Sequence, residues 1–118
     1  MAYRVDISRP ALLDAEEAFL WIANSSQERA HSWLWGLIEA ADSLRSMPNR
    51  CPIATESRSF LIEVRQLLYG SGKLQFRLIF GISVDEKTGE AIVRIYRIRS
   101  TRQDGLAELD ILGESYEG

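Results

Sequence analysis

Five arginines, Arg65, Arg77, Arg97, Arg99 and Arg102, are the side chains whose type and spacing point to chemistry. They fall in one stretch, FLIEVRQLLYGSGKLQFRLIFGISVDEKTGEAIVRIYRIRSTR at 60–102, in which three apolar runs are broken by glycine-containing turns. Runs of that length between such turns read as consecutive antiparallel strands. In a meander these guanidiniums can converge on one face or edge of the sheet. Clustered arginines bind phosphate bidentately and stabilise a phosphorane-like transition state by charge. The plainer reading is that each arginine lies over the sheet or pairs with Glu63 and the acids of the tail. Spacing alone leaves both readings open.

Charge is divided along the chain. Residues 58–102 hold nine Lys/Arg against four Asp/Glu, residues 1–57 five against eight, and residues 103–118 none against five. A cationic sheet is therefore expected inside an acidic molecule of net charge −3. That net charge argues against a general nucleic-acid binder, which is normally basic overall. Local charge outweighs the sum, because exposed charges are screened beyond about 10 Å. Whether the acidic tail masks the sheet is left open at this point.

Other chemistries find little support. Gly70-Ser71-Gly72 leads into a strand, whereas a phosphate-cradling loop opens a helix, so a hairpin turn is expected there. His31 has no evident triad partner and reads as a surface or boundary residue. His31 and Cys51 are too few to hold zinc, and a lone cysteine reads as a small buried hydrophobe. No metal and no cofactor are expected. Asp14, Glu16, Glu17, Glu39 and Asp42 read as the solvated faces of helices.

The elements that must position the arginines follow from periodicity. YRVDIS at 3–8 alternates as a half-buried strand. Pro10 suits the first turn of a helix, and Asp14, Glu16 and Glu17 place negative charge toward its start. Leu12, Ala15, Phe19, Ile22 and Ala23 form its apolar stripe, to about Asn24. Ser25 and Glu28 have capping-box spacing and restart the helix. Ala30, Trp33, Leu34, Leu37, Ile38, Ala41, Leu44 and Met47 then recur at intervals of three and four, predicting a helix that ends before Pro48. Helices joined by about two residues fold back as a hairpin. PNRCPIATESRS at 48–59 is a crossing loop, followed by strands at about 60–68, 74–84 and 91–99. Leu106, Leu109 and Leu112 suggest a short last helix over 106–112, and the tail beyond it is expected to fray. The result is one domain over 1–118, α+β, with an N-terminal strand, a long helical hairpin and a three-stranded antiparallel meander (βααβββ). No apolar run is long enough to span a bilayer and no signal peptide precedes the domain, so a cytoplasmic protein without membrane contact is expected.

YRVDISRPALLDAEEAFLWI, LRSMPNRCP, VRQLLYGSGKLQFRLIFGI and IYRIRSTRQD, in that order, resemble the RelE/ParE superfamily of bacterial toxins over about residues 3–104. The most specific piece is Arg65, a Gly-containing turn, and Phe76-Arg77-Leu78-Ile79-Phe80. The resemblance implies the toxin half of a type II toxin–antitoxin module of the plasmid-stabilisation type, held inactive by a cognate antitoxin. RelE-like members cut messenger RNA on the ribosome with basic residues. For that branch the resemblance makes Arg77, Arg102 and Arg65 the catalytic candidates. The branch's paired lysines fall on Leu61 and Glu63, its histidine on Ser100, and its tyrosine near Glu108, with Tyr116 a distant substitute. Loss of the acid or base removes about 10²–10⁴-fold in rate. ParE-like members have a longer helical hairpin, as here, and poison DNA gyrase without nuclease chemistry.

The expectation is accordingly a growth-inhibiting toxin of the ParE-like, gyrase-poisoning kind. The alternatives are a RelE-like ribosome-dependent endoribonuclease and a degenerate toxin that folds but is harmless. A disordered antitoxin segment would fold across the toxin, helix in groove or strand on sheet edge. Trp35 and Trp21, off the main apolar stripes, are the candidate anchors for that contact, though they equally suit the rim of the hairpin.

Overall fold

The computed structural model describes residues 2–103 together with Asp110 and Ile111. β1 spans Arg4–Ile7, α1 Arg9–Ala23 and α2 Gln27–Asp42. After a series of short 3-10 turns come β2 at Arg65–Tyr69, β3 at Phe76–Val84 and β4 at Ala91–Ser100. The sheet order is β1-β4-β3-β2, with β1 parallel to β4 and the other pairs antiparallel. This is the expected α+β arrangement, with the first strand completing the meander from its far side. The expected last helix and frayed tail lie outside the described residues, apart from Asp110 and Ile111.

Ser8 joins the first strand to the first helix. Its Oγ accepts from the Ala11 amide at 3.1 Å, capping α1, and donates to the Tyr96 carbonyl at 2.7 Å. Its own amide donates to the Ile95 carbonyl at 2.9 Å. Ser8 is buried, so both side-chain bonds are out of water. Ser8→Ala removes a cap and leaves a buried carbonyl short of its donor, and we expect a loss of about 2 kcal/mol in chemical denaturation. A loss below about 0.5 kcal/mol would mean that water replaces the hydroxyl.

Both helices follow the periodic pattern with local corrections. The cap of α2 is Ser26, whose Oγ accepts from the Arg29 amide, and not Ser25. α2 ends at Asp42 and passes into a 3-10 turn, so Met47 lies beyond it, exposed and with φ of 49°. Ala11, Ala15 and Ile22 are the buried face of α1, and Ala30, Trp33, Leu37 and Ala41 that of α2. Leu12 and Ile38, expected in the core, are 54% and 48% exposed on the outside of the hairpin. None of the described helices is long and apolar enough to cross a membrane.

The sheet is covered on both sides. Phe76, Leu78, Phe80, Val93, Ile95 and Ile98 meet the helices. On the opposite face Ile79 packs with Ala54, Val64 and Ile111, and Phe60 and Ile62 pack against that group. The expected strand over 60–68 is thus displaced. Phe60, Ile62 and Val64 alternate, yet they belong to a cover segment over the sheet, and β2 begins only at Arg65. The Gly70–Gly72 segment is a turn into β3, with φ of 86° at Gly70 and 56° at Gly72. At these angles a side chain is strained, so glycine is the fitting residue.

Candidate functional site

The arginines do not form one cluster. Residues opposite each other in a sheet share a face, so Arg77, opposite Arg99, lies with it on the side away from the helices. Arg65 lies opposite Phe80 and therefore on the helix side. There its Nη1 donates to the Cys51 carbonyl at 2.7 Å and the Asn49 carbonyl at 3.3 Å, and its Nη2 lies 3.3 Å from Glu63. Arg65 clamps the loop that follows α2. This is a structural arginine in all its described contacts.

Arg77 is enclosed. Its Nη2 donates to Glu56 and its Nε to Gln66 Oε1 at 2.9 Å. The Arg77 and Glu56 side chains are only 13% and 8% exposed. A carboxylate so placed neutralises the guanidinium at close range, where little water screens it. Nothing in the residues 48–59 announced Glu56 as a partner, because it is brought over β3 by the 3-10 turn at Thr55–Ser59.

Arg97 is tied as firmly. Its Nε and Nη2 donate to the two oxygens of Asp14 at 2.7 and 2.9 Å. Asp14 also accepts from the Ile98 amide at 3.0 Å. The expected solvated position of Asp14 is therefore corrected. β4 runs on past β1 as a free edge, and Asp14 supplies the acceptor that a neighbouring strand would have offered. The guanidinium holds its proton more strongly than usual, first because of the hydrogen bonds to Asp14 and against the opposing effect of burial.

What remains accessible is a groove of about 600 Å³ where α1 passes the end of β4. Trp21, Ala18 and Phe76 give it apolar walls, while Lys73, Arg99 and Arg102 bring positive charge. Arg102 is exposed, and its backbone amide donates to Ser100 Oγ at 3.2 Å. Of the residues singled out in the sequence, the groove brings together Arg97, Arg99, Arg102 and Trp21 and leaves out Arg65, Arg77 and Trp35. Trp21 is 63% exposed and Trp35, on the outside of α2, 65%. His31 is exposed and donates from Nδ1 to the Gln27 carbonyl at 2.8 Å, with its ring edge-on to Phe19. Cys51 is a buried free thiol. Among the described residues no group of His, Cys, Asp and Glu is arranged to hold a metal ion.

A second pocket, of about 400 Å³, lies on the other side of Lys73, between the start of α2 and the β2–β3 turn. Tyr69 forms part of its wall and donates from its hydroxyl to the Trp33 carbonyl at 2.7 Å. That close approach depends on Gly36, where a Cβ would fall 2.1 Å from the Tyr69 oxygen. The Tyr69 hydroxyl loses its proton less readily than usual, mainly through burial and then through the nearby charge of Glu39.

Comparison with known proteins gives one family. The description "ParE toxin of type II toxin-antitoxin system, parDE" matches residues 5–105, from the second residue of β1's alternating run to just past Arg102. No curated protein matches the chain.

Proposed function

The chain belongs to the ParE toxin family, the toxins of type II toxin–antitoxin systems, and on that premise we propose that it halts growth by binding DNA gyrase rather than by cutting RNA. The observation that carries this reading is the Arg77–Glu56 pair. A guanidinium that stabilises a transition state must meet charge that develops during the reaction, with no partner already filling its donors. Arg77 spends its donors on Glu56 and Gln66, and Arg65 spends its own on loop carbonyls. Those contacts support a structural use for two of the three nuclease candidates.

The RelE-like alternative draws on the groove. Arg102 and Lys73 there have no carboxylate within ion-pair distance among the described residues, so their charge is available to a phosphate backbone. The partner in either case is a cognate antitoxin. Trp21 and Trp35 serve as its anchors in this reading, because both present most of an indole to solvent and lie on opposite sides of the hairpin. An antitoxin reaching both has to wrap around α1 and α2. The protein acts in the cytoplasm, where both candidate targets are found.

Purified toxin is added to a supercoiling assay with gyrase and, separately, to a translating bacterial extract whose message 5′ ends are mapped. We expect supercoiling to be inhibited and the message to stay intact. Ribosome-dependent cuts inside codons with supercoiling unaffected would overturn the gyrase reading in favour of the nuclease. No effect in either assay would point to a toxin that has lost its activity.

A further inference from the structure

The pocket between α2 and the β2–β3 turn is lined by donors. Arg29, Ser32, Trp33, Ser71 and Lys73 contribute two cations, two hydroxyls and an indole N–H, and no carboxylate lines it. Neither Arg29 nor Lys73 has an ion-pair partner among the described residues. Trp33 is buried against Phe76 and Tyr69, with ring centroids 5.1 and 6.3 Å away, yet its Nε1–H finds no acceptor there. Buried donors are almost always satisfied, and an orphan indole N–H costs about 1–3 kcal/mol. The tryptophan is also held rigidly, since its carbonyl takes the Tyr69 hydroxyl and Gly36 makes room for that ring. A fixed, unsatisfied donor beside two unpaired cations is the arrangement an anion completes.

We propose that this pocket binds an oxyanion group, a carboxylate or a phosphate, held by Arg29 and Lys73 and accepting from the Trp33 indole N–H at its inner end. Ser32 and Ser71 supply further donors at the rim. The site is separate from Arg77 and does not depend on which target the toxin attacks. Lys73 also lines the groove that holds Arg99 and Arg102, so a ligand seated here presents the rest of its length to that groove.

The test uses the indole resonances of the ¹⁵N-labelled full chain, with Trp33 assigned by elimination from Trp21→Phe and Trp35→Phe. Sodium phosphate and sodium acetate are titrated separately against sodium chloride at matched ionic strength. We expect a saturable downfield shift of the Trp33 N–H alone, with affinity falling about tenfold in Arg29→Ala and in Lys73→Ala, the worth of one charge-assisted hydrogen bond. Saturation by phosphate only identifies a phosphorylated ligand, by acetate only a carboxylate, and by both a site that reads charge alone. A Trp33 resonance that moves no more than in chloride, or a shift that both alanine variants leave unchanged, overturns the proposal. Both variants alter exposed side chains, so the fold is retained and the comparison stays readable.

Discussion

Asp14→Leu is expected to destabilise the protein by about 3–5 kcal/mol, the cost of leaving one member of a buried ion pair alone. The Asp14 and Arg97 side chains are 15% and 18% exposed, so water does little to replace the lost carboxylate. The same change strands the Ile98 amide at the edge of β4. Against a typical total of about 5–15 kcal/mol for a domain, this is a large share. Chemical denaturation of Asp14→Leu, Arg97→Met and the double variant measures it. The double variant should recover most of the loss, because an apolar pair of similar volume avoids the stranded charge, while the Ile98 amide remains unsatisfied. A loss of less than about 1 kcal/mol for Asp14→Leu would place the pair with ordinary surface contacts. The pair of Arg4 with Asp6 and Glu90 is of that surface kind and serves as the control, since its members are a third to a half exposed.

The second large effect concerns Arg77 and changes how its mutants should be read. Arg77→Ala leaves the Glu56 carboxylate buried without its partner, again about 3–5 kcal/mol. A toxin so weakened is cleared in cells, and its harmlessness would be mistaken for loss of a catalytic group. The informative variant is Arg77→Leu combined with Glu56→Leu, which removes both charges together. We expect that double variant to fold and to inhibit growth as the parent does, while either single change is unstable and inactive. Growth inhibition lost in a double variant that is as stable as the parent would show that Arg77 acts on a substrate, and the nuclease reading would then gain. Toxicity in a regulated expression strain, paired with denaturation of the purified variants, separates the two outcomes.

Much of the architecture was legible in the residues. The spacing of Ala30, Trp33, Leu37 and Ala41 gives α2, and the alternation of Phe76, Leu78, Phe80 and Ile82 gives the helix-facing side of β3, because both periods are set by backbone geometry. Two things blurred the boundaries. Phe60, Ile62 and Val64 alternate as a strand does, but a period of two also fits an extended segment laid over a sheet that needs cover on its second face. Leu12 and Ile38 fit the helical stripes and still lie outside the core, since a stripe fixes direction only to within a turn. The site was less legible. Asp14 meets Arg97 across 83 positions and Glu56 meets Arg77 across 21, and nothing local marks a carboxylate that will be buried. Pro10 and Ser8 gave the start of α1, whereas Ser25 and Ser26 are neighbours of the same type and only the geometry chose between them. The charged stretch was recognised as cationic; its internal pairing was not.

The strand order has a consequence in time. β1 is made first and its only strand partner is β4, the last strand, with Arg4 aligned to Ile92 and Ile7 to Ile95. The parallel seam cannot form until the last strand has left the ribosome, when only the acidic tail remains to be made. The helical hairpin and the meander are local and can collect early, but Ser8, Asp14 and β1 wait for residues more than 80 positions downstream. Synthesis at about 5–20 residues per second makes that wait several seconds per chain. A growing chain is therefore without its finished shape, and without its poison, for nearly the whole of its translation, and an antitoxin already present in the cell meets each toxin at the moment it becomes one.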